Sequence, residues 1–191
     1  YATVDEVFAV APENAGVLVL SGGYPSEGTV ITEENIEAAL KKSLKVFVEY
    51  PDLFGKQRVL AKDTLDLERI VVCDSLSAVL CPMDLLSFNK CIVNVYEQDA
   101  FGDAFNTSIV AAKVAGFDKA EYGLKDTPTK PVVLSDGKNF MISTTKISQY
   151  AHYRYIPEFR TKSLVEYVIS WLTGESVVFK KWTSLIHPAY K

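Results

Sequence analysis

The chain has 191 residues, 48% hydrophobic and 23% charged, the size and balance of one globular domain, which excludes a disordered chain. Its formal net charge is −4 and its lysines and arginines are scattered, so a surface built to grip nucleic acid is not expected. No apolar run approaches the roughly 18 residues that a membrane span needs.

Residues 3–10 carry a capping Thr3 and an acidic first turn, and read as a short helix or a strand approach. Residues 16–20 (GVLVL) predict a buried strand, ended by the turn Ser21-Gly22-Gly23. Residues 32–43 start with a capping Thr32, continue with acids and finish with lysines. They put Ile36, Ala39 and Leu40 on one face and predict a helix. Residues 44–48 (LKVFV) predict a second strand that stops at Glu49-Tyr50-Pro51. Strand, turn, helix and strand in this order make the βαβ unit of a parallel sheet.

Further strands are expected over 69–73, 91–96, 109–115, 122–124, 131–134 and 140–143. Residues 76–90, broken by Pro82, read as a short helix or loop. Asp136-Gly137 is a hairpin turn signal. After a loop over 144–157, residues 158–173 repeat Leu164, Tyr167, Val168, Trp171 and Leu172 at helical spacing, and Gly174 stops the helix. Residues 177–179 look strand-like. One domain is expected over 1–174, with 175–191 as an extension or linker toward a following domain. The first residue is Tyr1 and no signal-peptide pattern follows, so the chain is expected to be part of a longer protein.

Cys73, Cys81 and Cys91 cannot all pair with one another and form no CxxC or Cys/His cluster, so they read as small hydrophobes and no metal site is expected. Asn106-Thr107-Ser108 fits a glycosylation sequon, a pattern short enough to arise by chance.

Two stretches resemble the class I glutamine amidotransferase-like fold. "VLVLSGG", a helix and "KVFVEYP" match its strand, turn, helix and strand up to the nucleophile turn. "DGKNFMISTT…YIPEFRTKSLVEYVISWLTG" is similar to the end of the non-amidotransferase branches, the trehalose-utilisation (ThuA) type and the β-galactosidase trimerisation type. "KVFVEYP", "KVAGFD" and "AEYGL" also resemble the amino-terminal region of large bacterial proteins related to glycoside hydrolases. The resemblance implies an α/β three-layer sandwich, flavodoxin-like, with a mainly parallel sheet. It also favours a periplasmic or secreted location.

The departures bear on function. Where an amidotransferase carries a cysteine flanked by glycines, this chain reads Val48-Glu49-Tyr50-Pro51. Pro51 also lacks the N–H that an oxyanion hole could use. After 140–143 come Thr144-Thr145-Lys146 in place of His-Pro-Glu, so a glutaminase triad is not expected. His187-Pro188 follows the last helix and reads as coincidence.

Ligands in doubly wound sheets bind along the carboxyl edge of the strands. That edge would gather Ser21, Gly22, Glu49, Tyr50, His152 and Arg154 as a ligand pocket. His152 and Arg154 come from the aromatic, basic stretch 150–155. Tyr and His faces stack on sugar rings; Glu and Arg hold hydroxyls or a carboxylate. The competing reading has these aromatics cover the sheet edge or meet another domain, with Arg154 paired to Glu49. Glu49 and His152 are the weak catalytic candidates, and Asp74 is the least unsuitable second carboxylate for glycoside hydrolysis. Ser21-Gly22-Gly23 lacks GxGxxG spacing and a following Lys-Ser/Thr, so it reads as turn geometry and not as a phosphate loop.

The expected function is a non-catalytic accessory or interaction domain of a larger, carbohydrate-active protein. A small glycoside or amide hydrolase using Glu49 and His152, and a metabolite sensor, stand as alternatives. No cofactor is expected. The expected partners are another domain of the same polypeptide or a second copy of the chain, with a carbohydrate as the ligand class.

Overall fold

The computed structural model describes residues 3–66, 68–86, 88, 90–113, 124, 127–151, 159–180 and 182. Three α-helices occur among them: α1 Val4–Val10, α2 Glu33–Lys41 and α3 Phe159–Thr173. Both amino-terminal helices start with a capping box. Thr3 accepts from the Glu6 N–H while Glu6 accepts from the Thr3 N–H, and Thr32 and Asn35 repeat the exchange.

The strands are β1 Gly16–Val19, β2 Thr29–Ile31, β3 Lys45–Glu49, β4 Pro51–Phe54, β5 Gln57–Arg58 and β6 Ala61–Thr64. They continue as β7 Arg69–Val72, β8 Leu85–Leu86, β9 Ile92–Val95, β10 Asn106–Ala112, β11 Thr129–Ser135 and β12 Phe140–Ser143. The main sheet has the order β1-β3-β12-β11-β10-β7-β8. Two small sheets, β2-β4-β5 and β6-β9, stand beside it. The protein is thus a mixed α/β structure, and the four strands expected around residues 17–20, 46–48, 70–73 and 141–143 are all present.

The mainly parallel sheet is corrected. Only β1 with β3 and β3 with β12 run parallel; the other four pairings of the main sheet are antiparallel. Parallel neighbours need a long crossover, usually helical. Among the described residues no α-helix lies between Lys41 and Phe159. The Asp136-Gly137 hairpin reverses the chain instead. Its Asp136 carboxylate accepts the N–H groups of Lys138, Asn139 and Phe140 at 2.8–2.9 Å, and Gly137 supplies φ +71°.

Alternation along β3 decides which helix covers which face. Phe47 joins Met141, Leu164, Val168 and Leu172, so α3 packs on one side. Val46 and Val48 join Phe8, Ala39, Leu44 and Ile142, so α1 and α2 pack on the other.

Two further expectations change, at 76–90 and 177–179. Residues 76–90 hold no helix among the described residues; β8 folds back on β7, pairing Leu86 with Ile70. The strand expected over 91–96 is present as β9, which pairs with β6 outside the main sheet. Residues 177–179 are not a strand but lie along α3. There the Val177 N–H donates to Ser170 Oγ at 2.9 Å and the Phe179 N–H to Glu166 at 2.6 Å. Parts of the strands expected at 109–115 and 122–124, and His152, Arg154 and His187, lie outside the described residues.

Candidate functional site

Glu49 is the last residue of β3 and is 1% exposed. Its carboxylate is clasped by the loop after β12: the Ser148 N–H donates to Oε1 at 2.5 Å and the Ser148 hydroxyl to Oε2 at 2.8 Å. Burial pushes the Glu49 carboxyl above its ordinary value. Hydrogen bonds from Ser148 and the Ser21 backbone, and the charge of Lys146, pull the other way. Lys146 itself donates to the Ser21 carbonyl at 2.5 Å, tying the β1 turn to the β12 loop. Ser21 is buried, and its hydroxyl donates to the Glu27 carbonyl.

Tyr50 occupies the turn itself with φ +48°, a left-handed conformation that bulky residues rarely adopt. It is fully buried. Its N–H donates to the Ser143 carbonyl at 2.7 Å, its carbonyl accepts from Thr29, and its hydroxyl donates to the Pro25 carbonyl at 3.1 Å. The Tyr50 amide is therefore engaged and its side chain is packed out of solvent. The phenol is pushed up by burial, and by the nearby Tyr24 and Asp52. Tyr24 meets the Tyr50 ring edge-on at 4.8 Å, and the Lys62 ammonium lies 5.0 Å from the ring centre.

A second group of residues, silent in the sequence, holds the chain just beyond. The Asp52 carboxylate accepts from the Gly28 N–H at 2.8 Å and pairs with Lys62 at 3.1 Å. A Cβ on Gly28 would fall 2.2 Å from the Tyr50 carbonyl oxygen, so only glycine fits there. The Pro51 carbonyl accepts from Asn94 Nδ2 at 2.8 Å and from the Tyr96 hydroxyl. Sequence signal for this group is absent, because each contact joins segments that meet only in the folded chain.

Of the residues expected at the carboxyl edge, Ser21, Glu49 and Tyr50 do converge. Gly22 is exposed beside them, and His152 and Arg154 lie outside the described residues. Glu49 is held by Ser148, not seen in a cleft. Ser21, Glu49 and Tyr50 line none of the cavities of about 570, 540 and 310 Å³ found among the described residues. Asp74 is corrected as a second carboxylate. It follows β7, which runs against β3, so it sits at the opposite edge of the sheet. No cluster of three or more His, Cys, Asp or Glu placed for a metal ion occurs among the described residues. No helix among them is long and apolar enough to cross a membrane.

In comparisons with known proteins, no family model, no curated protein and no solved structure matches the chain.

Proposed function

We propose that this chain is a non-catalytic accessory and interaction domain of a larger, carbohydrate-active protein, built on a glutamine amidotransferase-like, flavodoxin-like core. The observation that carries the reading is the closed strand end. Tyr50 is fully buried, its N–H is bonded to Ser143, and both Glu49 oxygens are held by Ser148. A nucleophile or general base needs a substrate atom within hydrogen-bond reach, whereas among the described residues both Glu49 oxygens already have protein donors and the side chain is buried. The β1-β3-β12 parallel trio, with α1 and α2 on one face and α3 on the other, supports the fold relationship. An interaction role is supported by β1, which ends the sheet order and leaves Leu18 and Leu20 exposed. The second reading, a hydrolase using Glu49 and His152, draws on the raised Glu49 carboxyl.

The test is turnover by the purified chain: ammonia release from glutamine, and hydrolysis of aryl glycosides and simple amides. No turnover above a Glu49→Gln control is expected. Turnover that disappears in Glu49→Gln overturns the reading and favours the hydrolase.

A further inference from the structure

The main sheet ends at β1, and its pairing with β3 fixes which way each backbone group points. The Lys45 N–H donates to the Ala15 carbonyl at 3.0 Å, and Gly16 to Val19 run in parallel register with Lys45 to Val48. In a parallel pair the N–H and C=O of one residue face the same side, and successive residues alternate. Ala15, Val17 and Val19 therefore face β3. Gly16, Leu18 and Leu20 turn three N–H and three C=O groups away from the sheet. All three residues are exposed, and these groups have no hydrogen bond among the described residues.

Side chains mark the same edge. A Cβ on Gly16 would lie 2.7 Å from the Leu172 carbonyl, so Gly16, Leu18 and Leu20 belong to the α3 face of the sheet. The last turn of α3 meets Gly16, while Leu18 and Leu20 remain 44% and 49% exposed. Val17 and Val19, on the other face, are buried. Edge strands are commonly blunted by a charge, a proline, a bulge or a cover. Residues 16–20 (GVLVL) carry no charge and no proline, and the pairing with β3 has no bulge. Such an edge is a template for one more strand.

Charge decides which strand. Glu13 stands in the turn that enters β1, and Glu175 comes just past the Leu172 that meets Gly16. At the exit, the Glu27 carboxylate lies beside Gly23. All three glutamates are exposed, and none has an ion pair among the described residues. The lysines that hydrogen-bond at the two ends are directed inward at carbonyls: Lys42 at Phe8, Ala9 and Ala11, Lys45 at Trp171, and Lys146 at Ser21. This arrangement opposes a second copy of the chain. The two-fold register that uses every outward group sets Leu18 against Leu18 and Glu13 opposite Gly23, where the second copy's Glu27 lies. A strand with cations at both ends meets carboxylates whichever way it runs.

We propose that the β1 edge binds an extended polypeptide segment with alternate apolar residues and Lys or Arg at its ends, which joins the main sheet as a further strand against Leu18 and Leu20. The inference rests on the interaction role proposed above and names its partner class.

The test uses the intact chain and three acetylated, amidated peptides: RKVTVTVKR, the acid-ended EEVTVTVEE, and the first peptide with its five central amides N-methylated. Calorimetry gives affinities, and NMR amide exchange reports on residues 16–20. The basic-ended peptide is expected to bind at least about tenfold more tightly than the acid-ended one at low salt, and the N-methylated one not at all. At a free concentration of about ten times Kd it should slow exchange of the Leu18 and Leu20 amides about tenfold. Leu18→Lys, at an exposed position, should cost about tenfold in affinity. Glu13→Lys combined with Glu175→Lys should reverse the preference between basic and acid ends, an effect that misfolding does not produce. Thermal unfolding checks that the variants are folded. The inference is overturned if the basic-ended peptide does not bind, if the acid-ended one binds as tightly, or if the bound peptide leaves exchange at residues 16–20 unchanged. It is also overturned if sedimentation shows a dimer that Leu18→Lys separates, which makes a second copy the occupant. Each of these results leaves the non-catalytic reading of the closed strand end standing. Turnover that disappears in Glu49→Gln sinks that reading and leaves the β1 assignment in place.

Discussion

Replacing Glu49 by alanine separates an anchoring carboxylate from a catalytic one. The substitution takes the acceptor away from both Ser148 donors. A buried donor left unpaired costs about 1–3 kcal/mol, with the amide counting more because the hydroxyl can turn elsewhere. The lost methylene adds about 0.8 kcal/mol. Together these give a deficit of about 2–4 kcal/mol, or a Tm lowered by roughly 5–15 °C for a chain of this size. The deficit depends on pH. Burial raises the Glu49 carboxyl in the folded protein, so the folded state holds this proton more tightly than the unfolded chain. The stability tied to that proton is complete below the unfolded carboxylate value of about 4.3 and is lost as pH rises through the folded value. Alanine abolishes this dependence, so its deficit is largest near the acid end and shrinks toward neutrality. Glu49→Gln keeps an acceptor for the Ser148 N–H and a donor for its hydroxyl, and is expected within about 1 kcal/mol of the parent. Urea denaturation of the three proteins at acid and neutral pH measures all of this. Alanine as stable as the parent at both pH values, or a deficit that grows with pH, refutes the reasoning.

Tyr50→Phe should cost about 1 kcal/mol through the bond to Pro25, and Tyr50→Ala about 3–5 kcal/mol through the emptied site, both read from urea midpoints. Gly28→Ala should destabilise by about 1–3 kcal/mol, because its methyl group meets the Tyr50 carbonyl and Asp52; an unchanged midpoint removes the close approach from the account. Iodoacetamide labelling followed by mass spectrometry should modify exposed Cys81 first and buried Cys91 only after unfolding. Cys73, half-buried with its thiol pushed up by burial, should react in between.

The amino-terminal third was the most legible part of the chain. Thr3 and Thr32 announce their helices through local hydrogen bonds, and the 16–20 and 44–48 runs announce strands through apolar periodicity. Strand direction was not legible. A run such as 131–134 reads the same in either orientation, and only Asp136-Gly137 marked a reversal. β4 and β6 escaped because their residues (PDLF and AKDT) carry no apolar alternation; β6 exists through its pairing with β9. The site shows the same division. Glu49 and Tyr50 stood out as the end of an apolar strand. Their partners Ser148 and Lys62, and Asn94 on the neighbouring Pro51, did not, because each contact depends on the register of distant segments.

Native-state amide hydrogen exchange at Tyr50 and Ser148 tests the closed strand end most directly. The Tyr50 amide donates to Ser143 and the Ser148 amide to Glu49, so both are expected to exchange only through opening as costly as global unfolding. Exchange of either amide at the rate of an exposed loop, in a protein otherwise protected, would mean that the edge opens to solvent, and would contradict the account.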